Sequence, residues 1–236
     1  MHHLPTEKGE STKVSTPVAS TAGPVTAAAS GGDTLWKRLL RVGWMSIALG
    51  ITIELLLLLL ASTQAVPKLA PALADLAQKV SWATIVCVGL AVGSTAARRR
   101  SDTMGLLGLI SAPLGFHAAR AAHKGVGAAL GLATGAGAAS TLLVAGLKAL
   151  EYGILGATVG GLGNRRGTPD LRVHLITGAV VGLVFGGVIL FVLTRAAAQP
   201  PSAVDLAAKA INELLFPVGC SFVLWASEAL GARVRG

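Results

Sequence analysis

The sequence predicts an all-α integral membrane protein of about six transmembrane helices, with two similar helical hairpins flanking a glycine-rich helical centre. Three observations predict it. Charged residues make up 13% of the chain and hydrophobic ones 53%, with a mean hydropathy of +0.67, whereas a soluble domain carries about 25% charged residues. Charge-poor apolar runs close to the length of a bilayer span recur along the chain. Glycines also stand at helical spacing in three ladders: Gly127, Gly131 and Gly135; Gly156 and Gly160; Gly178, Gly182 and Gly186. Residues four apart share a helix face. In lipid a face without side chains favours association, because close packing drives it there.

Four segments follow from composition: a disordered cytoplasmic tail over 1–33, a first amphipathic and transmembrane hairpin over 34–100, a glycine-rich central membrane region over 101–164, and a second transmembrane hairpin over 165–236. The tail is rich in Ser, Thr, Pro, Ala and Gly and has too little apolar surface to fold alone. It has no apolar core of signal-peptide length, and its His2 and His3 make a poor metal site. Residues 34–42 are amphipathic: Trp36 suits the interface, and Lys37, Arg38 and Arg41 suit phosphate head groups.

The first span is expected from about Gly43 to Ala61, carrying Leu55 to Leu60 and one carboxylate, Glu54. About nineteen residues at 1.5 Å rise nearly match the roughly 30 Å hydrocarbon core. A linker with Pro67 and Pro71 and a short amphipathic piece lead to a second span, about Val80 to Ala97, which stops at Arg98, Arg99 and Arg100. Basic residues before the first span and after the second place both ends of this hairpin in the cytoplasm.

In the centre, charge-free runs occur at 103–119, 125–147 and 152–164. Arg98–Arg100 and Arg165–Arg166 should lie on the same side, so an even number of spans separates them. The preferred pair is 103–119 with 126–147, leaving 152–164 as a tilted, re-entrant or interfacial helix packed through Gly156 and Gly160. The rival makes 103–122 interfacial and pairs 125–138 with 140–163, which buries Lys148 and Glu151 in mid-membrane.

The last section echoes the first. Leu171-Arg172-Val173 parallels Leu40-Arg41-Val42, and Asp205-Leu206-Ala207-Ala208-Lys209 parallels Asp75-Leu76-Ala77-Gln78-Lys79. The echo predicts a duplication, with spans at about His174 to Thr194 and Ala210 to Leu230, the latter kinked at Pro217. An even number of spans between the copies makes them parallel; an odd number makes them inverted. The arginine distribution favours parallel.

The formal net charge of +9 does not point to nucleic acid, because the basic runs flank apolar segments and lack interleaved aromatics. Arg38, Arg41, Arg98, Arg99, Arg100, Arg165, Arg166 and Arg172 read instead as topology and lipid head-group residues. Cys87 and Cys220 lie inside apolar runs and read as packing residues. There is no HExxH, GxSxG or Walker A motif; no catalytic residue, metal or cofactor is expected, and a lipid-modifying enzyme has the least support.

The residues read as a possible ion or proton site are Glu54, Lys148 and Glu151. An intramembrane carboxylate costs several kcal/mol and normally faces a cavity or a partner. Lys148 and Glu151, three apart on one helix face, read better as a solvated pair at the membrane boundary, with a contact between Lys148 and Glu54 as a further option. Glu213 and Glu228 are expected at head-group depth, and His117, His123 and His174 near span ends, where they would titrate near neutral pH. The functional expectation is a small channel or transporter for a cation, proton or small solute. The alternative is a structural or assembly protein packing through GxxxG faces, as a homo-oligomer or with other membrane proteins. The expected location is the bacterial inner membrane with both termini cytoplasmic.

Overall fold

A computed structural model describes residues 27–63, 66, 68–95, 99–132, 140–165, 170–197 and 199–233. Among the described residues there are six helices: α1 (Ala27–Ser62), α2 (Leu69–Gly93), α3 (Arg100–Ala129), α4 (Thr141–Arg165), α5 (Leu171–Ala196) and α6 (Ala203–Arg233). Five of them, all but α3, are long and apolar enough to cross a membrane. The protein is therefore an all-α membrane protein. α3 is equally long, at 30 residues, but carries Asp102, His117, Arg120, His123 and Lys124. It packs between α2 and α4.

Helices adjacent in sequence pack side by side, and α6 also packs on α1, so the bundle closes on itself. α6 additionally reaches α2 and α4. Paired positions run in opposite directions along neighbouring helices, as with Gly93 against Met104 and Gly89 against Ser111, so neighbours are antiparallel. The core is built from Trp82, Val86, Leu90, Tyr152, Leu155 and Leu224, among others. Large apolar side chains such as Leu59, Leu142, Ile176 and Leu183 point outward, as lipid-facing residues do.

The helix ends follow local chemistry. Asp170 caps α5 by accepting from the Arg172 amide at 2.9 Å. Ser202 caps α6: its hydroxyl accepts from the Asp205 amide at 3.1 Å and donates to the Asp205 carboxylate at 2.7 Å. α3 ends in a Schellman motif. The Leu132 amide donates to the Gly127 carbonyl at 2.8 Å, the Gly131 amide donates to that of Ala128 at 3.1 Å, and Gly131 has φ +72°. A side chain there would be strained.

That cap corrects the expected span at 126–147, since α3 stops at Ala129 and α4 starts only at Thr141. Gly127, Gly131 and Gly135 do not line one helix face; Gly131 makes the turn, and Gly135 lies outside the described residues. The 152–164 run is neither re-entrant nor interfacial but the second half of α4. The amphipathic 34–42 segment is likewise continuous with the first span inside α1. His2, His3 and Pro67 fall outside the described residues.

Backbones approach closely along α3 and α4. A Cβ at Gly108 would overlap the Tyr152 carbonyl oxygen, one at Gly156 would lie 2.7 Å from the Met104 carbonyl carbon, and one at Gly160 2.8 Å from the Arg100 carbonyl oxygen. On the other side of the bundle, Gly178 faces the Pro217 carbonyl and Val218, Gly182 faces Leu214 and Gly186 faces Glu213. Gly146 has nothing within 4 Å. Gly108→Ala is therefore expected to destabilise the protein by about 1–3 kcal/mol through overpacking. Gly146→Ala is expected to stabilise it by up to about 1 kcal/mol through helix propensity. Thermal unfolding of the two variants in one detergent, followed by size-exclusion chromatography, checks the difference in sign.

Candidate functional site

The site begins with charges placed where apolar residues dominate. α4 presents Lys148 one turn before the adjacent Glu151 and Tyr152, and all three are buried, at 6%, 0% and 0% exposure. The solvated boundary pair expected for Lys148 and Glu151 is thus corrected. Because α4 runs from Thr141, these residues lie more than a turn inside the helix, with Gly153 and Gly156 holding its far face against α3.

Lys148 Nζ donates to Glu151 Oε2 at 2.8 Å and to Glu213 Oε2, on α6, at 2.5 Å. Its ammonium also lies 5.6 Å from the Trp82 ring centroid and 5.8 Å from that of Tyr152, within cation–π range. Trp82 meets Tyr152 edge-on with centroids 5.4 Å apart, and Phe216 at 6.5 Å. Glu213 is therefore the second carboxylate on Lys148. Four residues later, Pro217 lacks the N–H that would bond the Glu213 carbonyl.

Two carboxylates meet one ammonium here. With all three ionised the cluster carries an excess negative charge, in a place where an uncompensated charge costs several kcal/mol. Glu151 Oε1 and the Tyr152 hydroxyl are buried without a hydrogen-bond partner among the described residues. The arrangement is suited to taking up one proton or one small monovalent cation beside Glu151.

Glu54 is 4% exposed, and its partner is Lys79 of α2, whose Nζ lies 2.6 Å from Oε2. The contact is an ion pair rather than an aligned hydrogen bond, since that oxygen has no hydrogen-bond partner of good geometry. The contact suggested between Lys148 and Glu54 does not form; each has a different partner.

Lys79, Trp82, Lys148, Glu213 and Phe216 line one cavity of about 600 Å³, which Asp75, Arg120 and Lys209 also border. The cavity sits among the start of α2, α4 and α6 and the end of α1, α3 and α5. Its wall grades from exposed Lys209 and an Asp75 side chain 47% exposed to fully buried Glu151 and Tyr152 behind its floor. His123 Nε2 lies 3.2 Å from Asp75 Oδ1. Among the described residues no group of three or more His, Cys, Asp or Glu is placed to hold a metal ion.

A second charged cluster closes the opposite end. Arg100 of α3 and Arg38 of α1 both reach Glu228 of α6, Arg38 at 3.5 Å. Their side chains are only 16% and 22% exposed, and both turn inward to Glu228 of α6. Arg99 and Arg172 are exposed, and Arg41 Nε donates to the Lys37 carbonyl at 3.4 Å. Arg98, Arg166 and the Arg165 side chain lie outside the described residues. His174 is 3% exposed and bonds the Asp170 carbonyl through Nδ1 at 2.8 Å, while His117 is exposed. Cys87 and Cys220 are buried free thiols.

Sequence reasoning missed Lys79 and Glu213. One available signal was the end chemistry: with Ser202 capping α6 and α2 starting at Leu69, both residues fall about ten positions into their helices, about 15 Å along the axis.

Comparison with known protein families, characterised proteins and solved structures finds no match to this chain. Lys148→Met leaves Glu151 and Glu213 together without a cation, and is expected to cost about 3–5 kcal/mol. The double variant Lys148→Met/Glu151→Gln should regain a good part of that loss. Apparent unfolding temperatures of the three proteins in the same detergent check both directions.

Proposed function

We propose that this protein is a small transporter in which a proton or monovalent cation binds at Lys148, Glu151 and Glu213. The observation that carries the reading is the buried cluster of two carboxylates and one ammonium at the floor of a graded, partly polar cavity. Intramembrane ionisable groups facing a cavity mark ion or proton paths. Pro217 breaks the helical hydrogen bonding beside Glu213, as interrupted helices do at transporter binding sites. Glu54 acts through Lys79, which faces the same cavity.

In this reading α3 is the sixth span, and α1–α2 and α5–α6 are diverged parallel repeats around the glycine-packed pair α3–α4. Both termini are cytoplasmic in the bacterial inner membrane, because the ends carrying Arg38, Arg99, Arg100 and Arg172 share one side. The cavity then opens outward, and the Arg38–Glu228–Arg100 cluster closes the cytoplasmic side. Rocking of the helix pairs about the glycine contacts would open that side.

Glu151→Gln keeps shape and removes the charge. In proteoliposomes loaded with a pH-sensitive dye, this variant is expected to lower the rate of proton entry under an imposed potential by about tenfold or more, the effect of ~1.4 kcal/mol at the site. Unchanged proton and monovalent-cation flux in the variant, with full insertion, would sink the transporter reading. It would favour the assembly role through the glycine faces, which Gly182→Leu would then disrupt.

A further inference from the structure

The charged groups that border the cavity are unequal. Lys79, Arg120, Lys148 and Lys209 are cations; Asp75 and Glu213 are the carboxylates. Lys79 is answered by Glu54 and Lys148 by Glu151 and Glu213, while Asp75 lies beside His123. Arg120 and Lys209 have no ion-pair partner among the described residues. Arg120 is held with its guanidinium carbon 5.6 Å from the Phe116 ring centroid, which leaves its donors free for an incoming group. Lys209 borders the same cavity from α6.

These cations also sit at the wrong end of the bundle for topology. Arg38, Arg99, Arg100 and Arg172 collect at the other end, where basic residues orient a membrane protein. Nothing in insertion requires Arg120 and Lys209 to flank a cavity beside Trp82, Phe116 and Phe216. A guanidinium beside an aromatic wall gains charge-assisted hydrogen bonds when an anion binds.

We propose that the cavity binds a soluble organic anion, with its carboxylate or phosphate between Arg120 and Lys209 and its apolar body against Trp82, Phe116 and Phe216. This rests on the transporter reading and adds the solute class: the anion enters above the floor, and the proton or cation beside Glu151 accompanies it. A cavity of about 600 Å³ is in the range that holds small organic molecules. Guanidinium offers paired donors to either kind of oxyanion.

Equilibrium binding of radiolabelled benzoate to the full chain in lipid nanodiscs tests the assignment without any flux measurement. Benzylammonium, which has the same ring with the opposite charge, is the control. Saturable benzoate binding is expected, with little for benzylammonium. Arg120→Gln and, separately, Lys209→Gln should each weaken benzoate about tenfold, and Arg120→Lys should weaken it less. Because Lys209 is exposed, its variant folds even if Arg120→Gln does not. Equal binding of the two probes, or benzoate affinity unmoved by Lys209→Gln, would overturn the proposal. Binding should be the same in zwitterionic and anionic discs; its loss in anionic discs would assign the site to a lipid head group and overturn the solute. If benzoate fails to bind while Glu151-dependent proton flux persists, the anion alone is wrong. Failure of both removes the transporter reading as well.

Discussion

The contact on which the structure depends is the backbone seam between α3 and α4. Gly108 meets the Tyr152 carbonyl, Gly156 meets Met104, and Gly160 meets Arg100 and Ser101. No side chain separates the two helices at these points. Association in lipid gains little from excluding apolar surface, so dispersion contacts at such close range have to hold the pair. The Ser101 hydroxyl adds a hydrogen bond to the Ala157 carbonyl at 2.7 Å. With that face of α4 fixed on α3, the adjoining face turns Lys148, Glu151 and Tyr152 toward α2 and α6.

Charge pairing then sets how the other helices register against this pair. Glu54 with Lys79 ties α1 to α2, Lys148 with Glu213 ties α4 to α6, and Glu228 ties α6 to both α1 and α3. Each such group would cost several kcal/mol if left alone at this depth. A slip of one helix along another would break a pair and strand both partners, so the pairs select one register even where their net stabilisation is small. The two charged layers sit at opposite ends of the bundle. Between them the core holds Val86, Leu90, Leu155 and Leu224. A polar cavity floored by one ion cluster at one end of the bundle, and a second ion cluster at the other end, are the outcome.

What the sequence determined by itself was local. Charge-poor runs of span length and the clustering of arginines are properties of neighbouring residues, and they specify helices in a membrane. The cost of Glu54 in an apolar run was legible for the same reason. The tertiary structure decided what those residues meet. Gly131 and Gly182 look alike in a ladder of fours, yet one turns a helix end at φ +72° and the other faces Leu214; a missing side chain serves a turn and a close approach equally, and the helix boundary distinguishes them. Lys148 and Glu151 read as a solvated pair because a short charge-free run followed them, and they became a buried site once Glu213, 65 residues away, supplied a second carboxylate. Partners at such separation leave no periodic trace in the chain, because their meeting depends on how whole helices pack and not on the spacing of residues within any one of them.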